Sequence, residues 1–118
     1  MIQEIKLNLG NEERTFSFGI IYLGNVLERL DVDYNTMLEK VSKNPFKYAP
    51  ILMFESLKNT QKRIGKDVDF TEDDLVDWLE KENLLGVDIM LKFINAFMGT
   101  QENKTPVNEV DSDNVKKK

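Results

Sequence analysis

Six acidic residues lie between positions 67 and 77, and carboxylates at this density are typical ligands of calcium. On the EF-hand pattern counted from Asp67, Glu72 stands where the loop needs glycine and Trp78 where it needs glutamate. The calcium pattern therefore fails at both positions. The same residues suit a capped helix start with a solvated acidic face, because the helix dipole favours negative charge there. We expect no metal site in this group, which comprises Asp67, Asp69, Glu72, Asp73, Asp74 and Asp77.

Catalytic residue types are scarce elsewhere in the chain. There is no cysteine and no histidine, which excludes thiol catalysis, disulfides, Cys/His zinc sites and histidine acid–base chemistry. No phosphate-loop, dinucleotide-binding or nucleophile-elbow glycine pattern occurs. No carboxylate pair lies in an evident glycine-rich or aromatic-lined turn that would suit hydrolysis. We therefore expect a protein that is not an enzyme and that takes no cofactor.

Length and charge narrow the class further. A chain of 118 residues is expected to form one domain with a modest core. With 16 Lys+Arg against 21 Asp+Glu, its net charge of -5 disfavours nucleic acid as a partner. The apolar runs are too short to cross a membrane and the N-terminus lacks a signal-peptide pattern, so we expect a cytoplasmic protein. The basic group Lys58, Lys62, Arg63 and Lys66 is expected to complement a helix C-terminus rather than to contact phosphate.

Hydrophobic periodicity predicts an α+β fold that is mostly helical. Polar and apolar residues alternate over 2–9 and 14–18, which predicts a β-hairpin over 2–18 with its turn at 10–13. The residues predicted to face inward are Ile5, Leu7, Leu9, Phe16 and Phe18. Helical spacing then predicts helices over about 20–30, 34–43, 46–64, 72–82 and 86–98. We expect one domain over 1–99 and, because 100–118 is polar with few apolar residues, a disordered tail there.

Individual residues are expected to set the helix ends. Asp33 and Thr71 are predicted N-caps, and Phe70 with Leu75 has the spacing of a hydrophobic staple. Pro50 is expected in the first turn of the third helix, where a missing N–H costs little. The first helix is expected to bury a stripe that contains Ile20, Leu23, Val26, Leu27 and Leu30. Gly65 is expected to end the third helix, and Trp78 is expected to lie in the core. Gly99 is expected to end the ordered domain.

The last predicted helix is apolar over a wider arc than a surface helix needs. Two interpretations remain open at this point: the helix is central to the core, or it offers an apolar face to a partner. For the second, the candidate partner-binding residues are Met90, Phe93, Ile94 and Phe97. The free edge of the hairpin is a further candidate, for pairing with a second copy of the chain.

The order of these features resembles that of small tail assembly chaperones of long-tailed, siphovirus-type bacteriophages and prophages. The resemblance covers about 1–99. It rests on the hairpin segments IKLNLG (5–10) and RTFSFG (14–19), the helical LERL (27–30), the segment VDFTEDDLVDWLE (68–80), the apolar FINAF (93–97) and the polar tail.

This resemblance implies a non-enzymatic role in the bacterial host cytoplasm. Such chaperones bind and solubilise the apolar tape-measure protein, help to recruit tail-tube subunits, and are absent from the mature virion. Many also exist in a frameshift-extended form, and the final Lys116, Lys117 and Lys118 would suit a slippery site if their codons are rich in adenine. Two alternatives remain: a structural tail-completion or connector protein, and a small host regulatory module that binds another protein.

Overall fold

The computed structural model describes residues 4–82 and 84–102, and it confirms the mostly helical α+β class. An antiparallel hairpin precedes five helices, in the predicted order. The elements are β1 (Glu4–Leu9), β2 (Glu12–Ser17), α1 (Ile20–Leu30), α2 (Tyr34–Lys43), α3 (Pro45–Arg63), α4 (Glu72–Lys81) and α5 (Leu84–Glu102). In the described part of the chain, no helix is long and apolar enough to cross a membrane.

The hairpin turn is tighter than the sequence suggested. Gly10 (φ 66°) and Asn11 (φ 67°) both adopt the left-handed conformation, and Leu9 pairs directly with Glu12. Two such residues form the turn whose twist matches that of a hairpin, and glycine and asparagine tolerate it best. For this reason β2 begins at Glu12 rather than at position 14.

The first helix keeps its predicted bounds and all but one residue of its predicted apolar stripe, since Val26 is buried and Leu23, Leu27 and Leu30 pack against the core. Ile20 is 77% exposed, whereas Tyr22 and Val26, one turn apart, are buried. The ring of Tyr22 lies edge-on to that of Phe18, with centroids 5.8 Å apart, directly across the junction between hairpin and helix. This junction fixes the rotation of α1 about its axis, which the spacing of apolar residues alone left open.

The helix α3 runs through the middle of the fold and contacts β2 and every other helix. Proline at its first position is Pro45, so the expectation that Pro50 lies in the first turn was wrong. Pro45 suits that place because its missing N–H would be unpaired there in any case. Pro50 lies one turn further in and is tolerated because α3 buries a long apolar face, which includes Ala49 and Leu52.

The ends of the helices follow local chemistry, with one correction. Asp33 caps α2 through the amide of Thr36 (2.8 Å), and Gly65 (φ 74°) follows the end of α3, both as predicted. The expected end of order at Gly99 was wrong, since α5 continues to Glu102. Glycine inside a helix costs only about 1 kcal/mol relative to alanine, which does not stop it. The rest of the predicted tail, 103–118, lies outside the described residues.

Candidate partner-binding surface

The predicted partner-binding residues of α5 are mostly inside the protein. Phe93 and Phe97 have no exposed surface, and Ile94 is 8% exposed. Met90 is half-buried at the edge of the core. This corrects the predicted binding face: three of its four residues are core residues in this fold, and the central-helix interpretation of α5 holds for them.

An aromatic cluster explains why these side chains turn inward. The ring of Phe93 lies 5.5 Å from that of Phe16 and 5.5 Å from that of Phe18. The ring of Phe97 lies 6.1 Å from those of Phe18 and Tyr22. Tilted and edge-on pairs at these separations add roughly 0.5–1.5 kcal/mol each beyond the area they bury. The hairpin therefore covers the aromatic side of α5, which leaves another side of that helix to face solvent.

An apolar groove lies along that other side, between the start of α3, the outer face of α4 and the first turns of α5. Its volume is about 300 Å³. Two of its apolar residues are well exposed, Phe46 at 49% and Val87 at 38%. Met90 is the one predicted partner-binding residue that lines it. We call this surface the α3–α5 groove; it is lined by Phe46, Pro50, Val76, Leu79, Glu80, Val87 and Met90.

A glycine sets the spacing of the two helices that form one wall of the groove. A Cβ atom on Gly86 would lie 2.1 Å from the backbone carbonyl oxygen of Leu79. Only glycine permits the start of α5 to approach the end of α4 this closely. The side chains of Leu79 and Val87, next to these two backbone segments, consequently line the same narrow groove.

The position of α4 is fixed at its other end by the predicted cap. Thr71 Oγ1 accepts a hydrogen bond from the amide of Asp74 (3.1 Å), and the Asp74 carboxylate accepts one from the amide of Thr71 (2.9 Å). This reciprocal pair is a capping box. Phe70 and Leu75, the predicted staple, are both buried. The acidic cluster thus acts at a helix start, and no group of residues in 4–82 and 84–102 has the composition of a metal site.

Ion pairs join α4 to the helices behind it. Arg29 on α1 contacts the carboxylate of Glu55 on α3 at 3.0 Å and also the carboxylate of Glu72 on α4. Partial burial acts to lower the pKa of Arg29, but hydrogen bonds and the charges of Glu72 and Glu55 outweigh it and raise that pKa. Lys58 lies 3.3 Å from Glu55 as well, so the buried carboxylate has two cationic partners. Lys58 belongs to the predicted basic group, and in the structure its ammonium pairs with the buried carboxylate of Glu55.

A buried polar cluster between β2 and α3 was missed by the sequence analysis. The Ser17 amide donates to Thr60 Oγ1 (3.1 Å), Ser56 Oγ donates to the Ser17 carbonyl (2.9 Å), and Asn59 Nδ2 donates to Ser17 Oγ (3.1 Å). These residues expose 8% of their surface or less. Their spacing of three and four along α3 was the available signal, because it places Ser56, Asn59 and Thr60 on one helix face.

A second, wider cleft of about 1050 Å³ lies between β2, the loop after α3 and α4. At its floor the guanidinium of Arg14 lies 4.0 Å from the ring centroid of Trp78 and 5.6 Å from that of Phe70. Arg14 Nε also donates to the carbonyl of Leu9 (2.8 Å). The expectation that Trp78 lies in the core was therefore wrong, because it is half-buried at the margin of the core. Arg14 is held by a hydrogen bond to the backbone of the hairpin. The cleft carries charges of both signs, which makes it a poorer apolar docking surface than the α3–α5 groove.

The groove thus combines exposed apolar side chains from three helices with a spacing fixed by Gly86 and by the cap at Thr71. Its lining contains one charged residue, Glu80.

Comparison of the chain with protein-family models, with curated proteins and with solved structures finds no match.

Proposed function

We propose that this protein is a phage tail assembly chaperone that binds and solubilises the tape-measure protein and helps to recruit tail-tube subunits. It acts in the cytoplasm of the bacterial host, does no chemistry, and leaves before the virion is complete. The resemblance of element order and segments over 1–99 suggests this class. The observation that carries the proposal is the α3–α5 groove, an apolar concave surface built from three helices.

The shape of the groove favours an amphipathic helix as the bound segment. Apolar side chains spaced three and four apart on such a helix insert into grooves between the helices of a partner. The groove presents Phe46 and Val87 at its rim and the adaptable side chain of Met90 deeper inside. A tape-measure protein is long, helical and rich in apolar residues, and so offers many segments of this kind.

Charge adds a requirement on that segment. Glu80 lines the groove, and Asp77 and Asp73 lie three and seven residues before it on the adjoining strip of α4. A bound helix with lysine or arginine beside its apolar stripe would neutralise Glu80, whereas an acidic helix would be repelled. We therefore expect the preferred tape-measure segments to be apolar on one face and basic next to it.

The test uses the full chain with the tape-measure protein as its client. Phe46→Asp and Val87→Asp place a carboxylate at the groove rim on side chains that are already exposed, so both variants should fold. Ile21→Asp is the matched control, because Ile21 is 69% exposed and lies on α1, outside the groove. Each variant is checked by circular dichroism and then co-expressed with the tape-measure protein.

We expect the wild type and Ile21→Asp to keep the tape-measure protein soluble, and the two groove variants to lose most of it to the pellet. Folded groove variants that solubilise it as well as the wild type would contradict the role of the groove. Mass spectrometry of purified particles tests the function separately. Recovery of this chain in particles at a fixed copy number would make it a structural tail protein, and failure to co-purify with the tape-measure protein would favour a host regulatory module.

A further inference from the structure

The two edges of the hairpin are protected unequally. On β2 the backbone groups of Ser17 point away from β1 and are taken up by α3: the amide donates to Thr60 Oγ1 and the carbonyl accepts from Ser56 Oγ. On β1 nothing similar occurs. In residues 4–82 and 84–102 the sheet has two strands only, and no hydrogen bond reaches the outer backbone groups of Lys6 and Asn8.

The pairing of the hairpin determines which groups these are. Leu9 and Glu12 flank a two-residue turn and so exchange hydrogen bonds with each other, and the alternation along the ladder repeats this at Leu7 and Ile5. Lys6 and Asn8, between them, direct their amides and carbonyls outward. Ser17 lies opposite Glu4 at another pair without mutual hydrogen bonds. Its backbone groups bond outward to α3, which is what this alternation predicts.

The space beside β1 is open. A cleft of about 560 Å³ is lined by the strand residues from Lys6 to Leu9 and by Ile89 and Lys92 of α5. An uncovered strand edge of this length is a template for pairing with another strand. β1 carries no proline and no bulge that would blunt it.

The sequence of β1 is complementary to itself in one register. When two copies pair antiparallel about a two-fold axis at Leu7, Lys6 of each exchanges hydrogen bonds with Asn8 of the other, and Ile5 lies opposite Leu9 on the apolar face. A register centred on Lys6 places two positive charges opposite each other. One centred on Asn8 brings Gly10 of the turn opposite Lys6 and shortens the ladder.

The neighbouring helix carries charges of both signs. Asp88 and Lys92 of α5 line the cleft, form an ion pair at 3.1 Å, and are both more than half exposed. A two-fold axis normal to the sheet would place one such pair from each copy on the same side of the sheet.

From these relationships we propose that a second copy of this chain pairs with the outer edge of β1, so that the two hairpins form one four-stranded antiparallel sheet with Lys6 of each copy bonded to Asn8 of the other. This surface lies apart from the α3–α5 groove, and the proposal does not depend on the function proposed above. Dimerisation would pair the outward backbone groups of Lys6 and Asn8, which have no hydrogen-bond partner within residues 4–82 and 84–102.

Proline substitutions test this pairing selectively. Lys6→Pro removes an amide that points away from β2, so it breaks pairing between copies and leaves the hairpin's own hydrogen bonds in place. Glu13→Pro is the matched control, because Glu13 lies opposite Asn8 and directs its amide outward on the other edge. Molecular mass is measured by light scattering over a range of concentrations, with circular dichroism to confirm folding.

We expect the wild type and Glu13→Pro to reach twice the chain mass of 13.7 kDa, and Lys6→Pro to remain at that mass. Amide hydrogen exchange of the wild type gives a second readout that does not depend on any variant folding. The amides of Lys6 and Asn8 should exchange at least about tenfold more slowly at high than at low protein concentration. The proposal would be overturned by a wild type that stays monomeric or by a folded Lys6→Pro variant that still dimerises. It would also be overturned if the exchange rates of the Lys6 and Asn8 amides did not change with protein concentration.

Discussion

The hydroxyl oxygens of Ser17 and Thr60 lie 2.8 Å apart, 43 residues from each other in the sequence, at the place where the hairpin meets the central helix. Thr60 Oγ1 also accepts from the Ser17 amide (3.1 Å) and lies 3.1 Å from the Ser56 carbonyl. The Thr60 side chain thus satisfies the buried amide at the end of β2, and this contact joins the hairpin to α3.

Thr60→Val should therefore destabilise the protein although it keeps the shape of the side chain. The buried amide of Ser17 loses its acceptor, and an unsatisfied group of this kind costs about 1–3 kcal/mol. Urea unfolding followed by circular dichroism measures the loss. Ser42→Ala, at an exposed position of α2, is the control and should change the free energy of unfolding by less than about 0.5 kcal/mol. A Thr60→Val protein as stable as the control would show that this contact contributes nothing.

Truncation of a buried ring of α5 should lower the free energy of unfolding far more than truncation of an exposed apolar residue on the same helix. Phe97→Ala removes a ring with no exposed surface and leaves a cavity beside the rings of Phe18 and Tyr22, which should cost about 3–5 kcal/mol. Leu91→Ala, at a position 41% exposed on the same helix, should cost well under half as much. Thermal or urea unfolding of the two variants gives the comparison. Equal losses would mean that the aromatic side of α5 is open to solvent rather than enclosed by the hairpin.

Two glycine substitutions should have opposite effects on stability. Gly10→Ala places a side chain at φ 66° with its Cβ 2.8 Å from the indole of Trp78, so it should destabilise the protein by more than about 1 kcal/mol. Gly24→Ala, in α1 with nothing within 4 Å, should stabilise it by about 0.5–1 kcal/mol. Trp78 is the chain's single tryptophan, so its fluorescence reports whether Gly10→Ala displaces the ring. An unchanged emission maximum together with unchanged stability would contradict this contact.

Stability at alkaline pH should depend on Tyr22. Burial, and secondarily the charge of Glu55, raises the pKa of Tyr22 well above its ordinary value of 10.0. In the unfolded chain the phenol ionises near pH 10, whereas in the folded protein it stays neutral. Its stabilising contribution is therefore complete below pH 10 and is lost as the pH rises above it.

Tyr22→Phe isolates this effect. At pH 7 the variant should be less stable by about 1 kcal/mol, because it loses the hydrogen bond from the Tyr22 hydroxyl to the Leu52 carbonyl (3.0 Å). Above pH 10 the difference between wild type and variant should shrink and then reverse, since only the wild type loses stability through Tyr22. Unfolding curves at pH 7 and at several values above 10 provide the measurement. A difference that stays constant over that range would place Tyr22 in contact with solvent.

The sequence by itself determined most of the local structure. The hairpin, the order of the helices, the caps at Asp33 and Thr71 and the end of α3 before Gly65 follow from side chains that act within a few residues of themselves. Alternation and helical spacing are equally local, which explains why the order of elements was predictable. The predicted place of Pro50 in the first turn of the third helix and the predicted end of the domain at Gly99 were wrong. At both places the local pattern was compatible with more than one helix boundary.

Only the tertiary structure decided which faces are covered. The wide apolar arc of α5 is compatible with a core helix and with a docking helix, and it is the hairpin, through Phe16 and Phe18, that encloses Phe93 and Phe97. The groove on the other side exists because Gly86 lets α5 approach Leu79 on α4. Periodicity reports that a face is apolar but not which distant element covers it, because burial depends on contacts between residues that lie far apart in the chain.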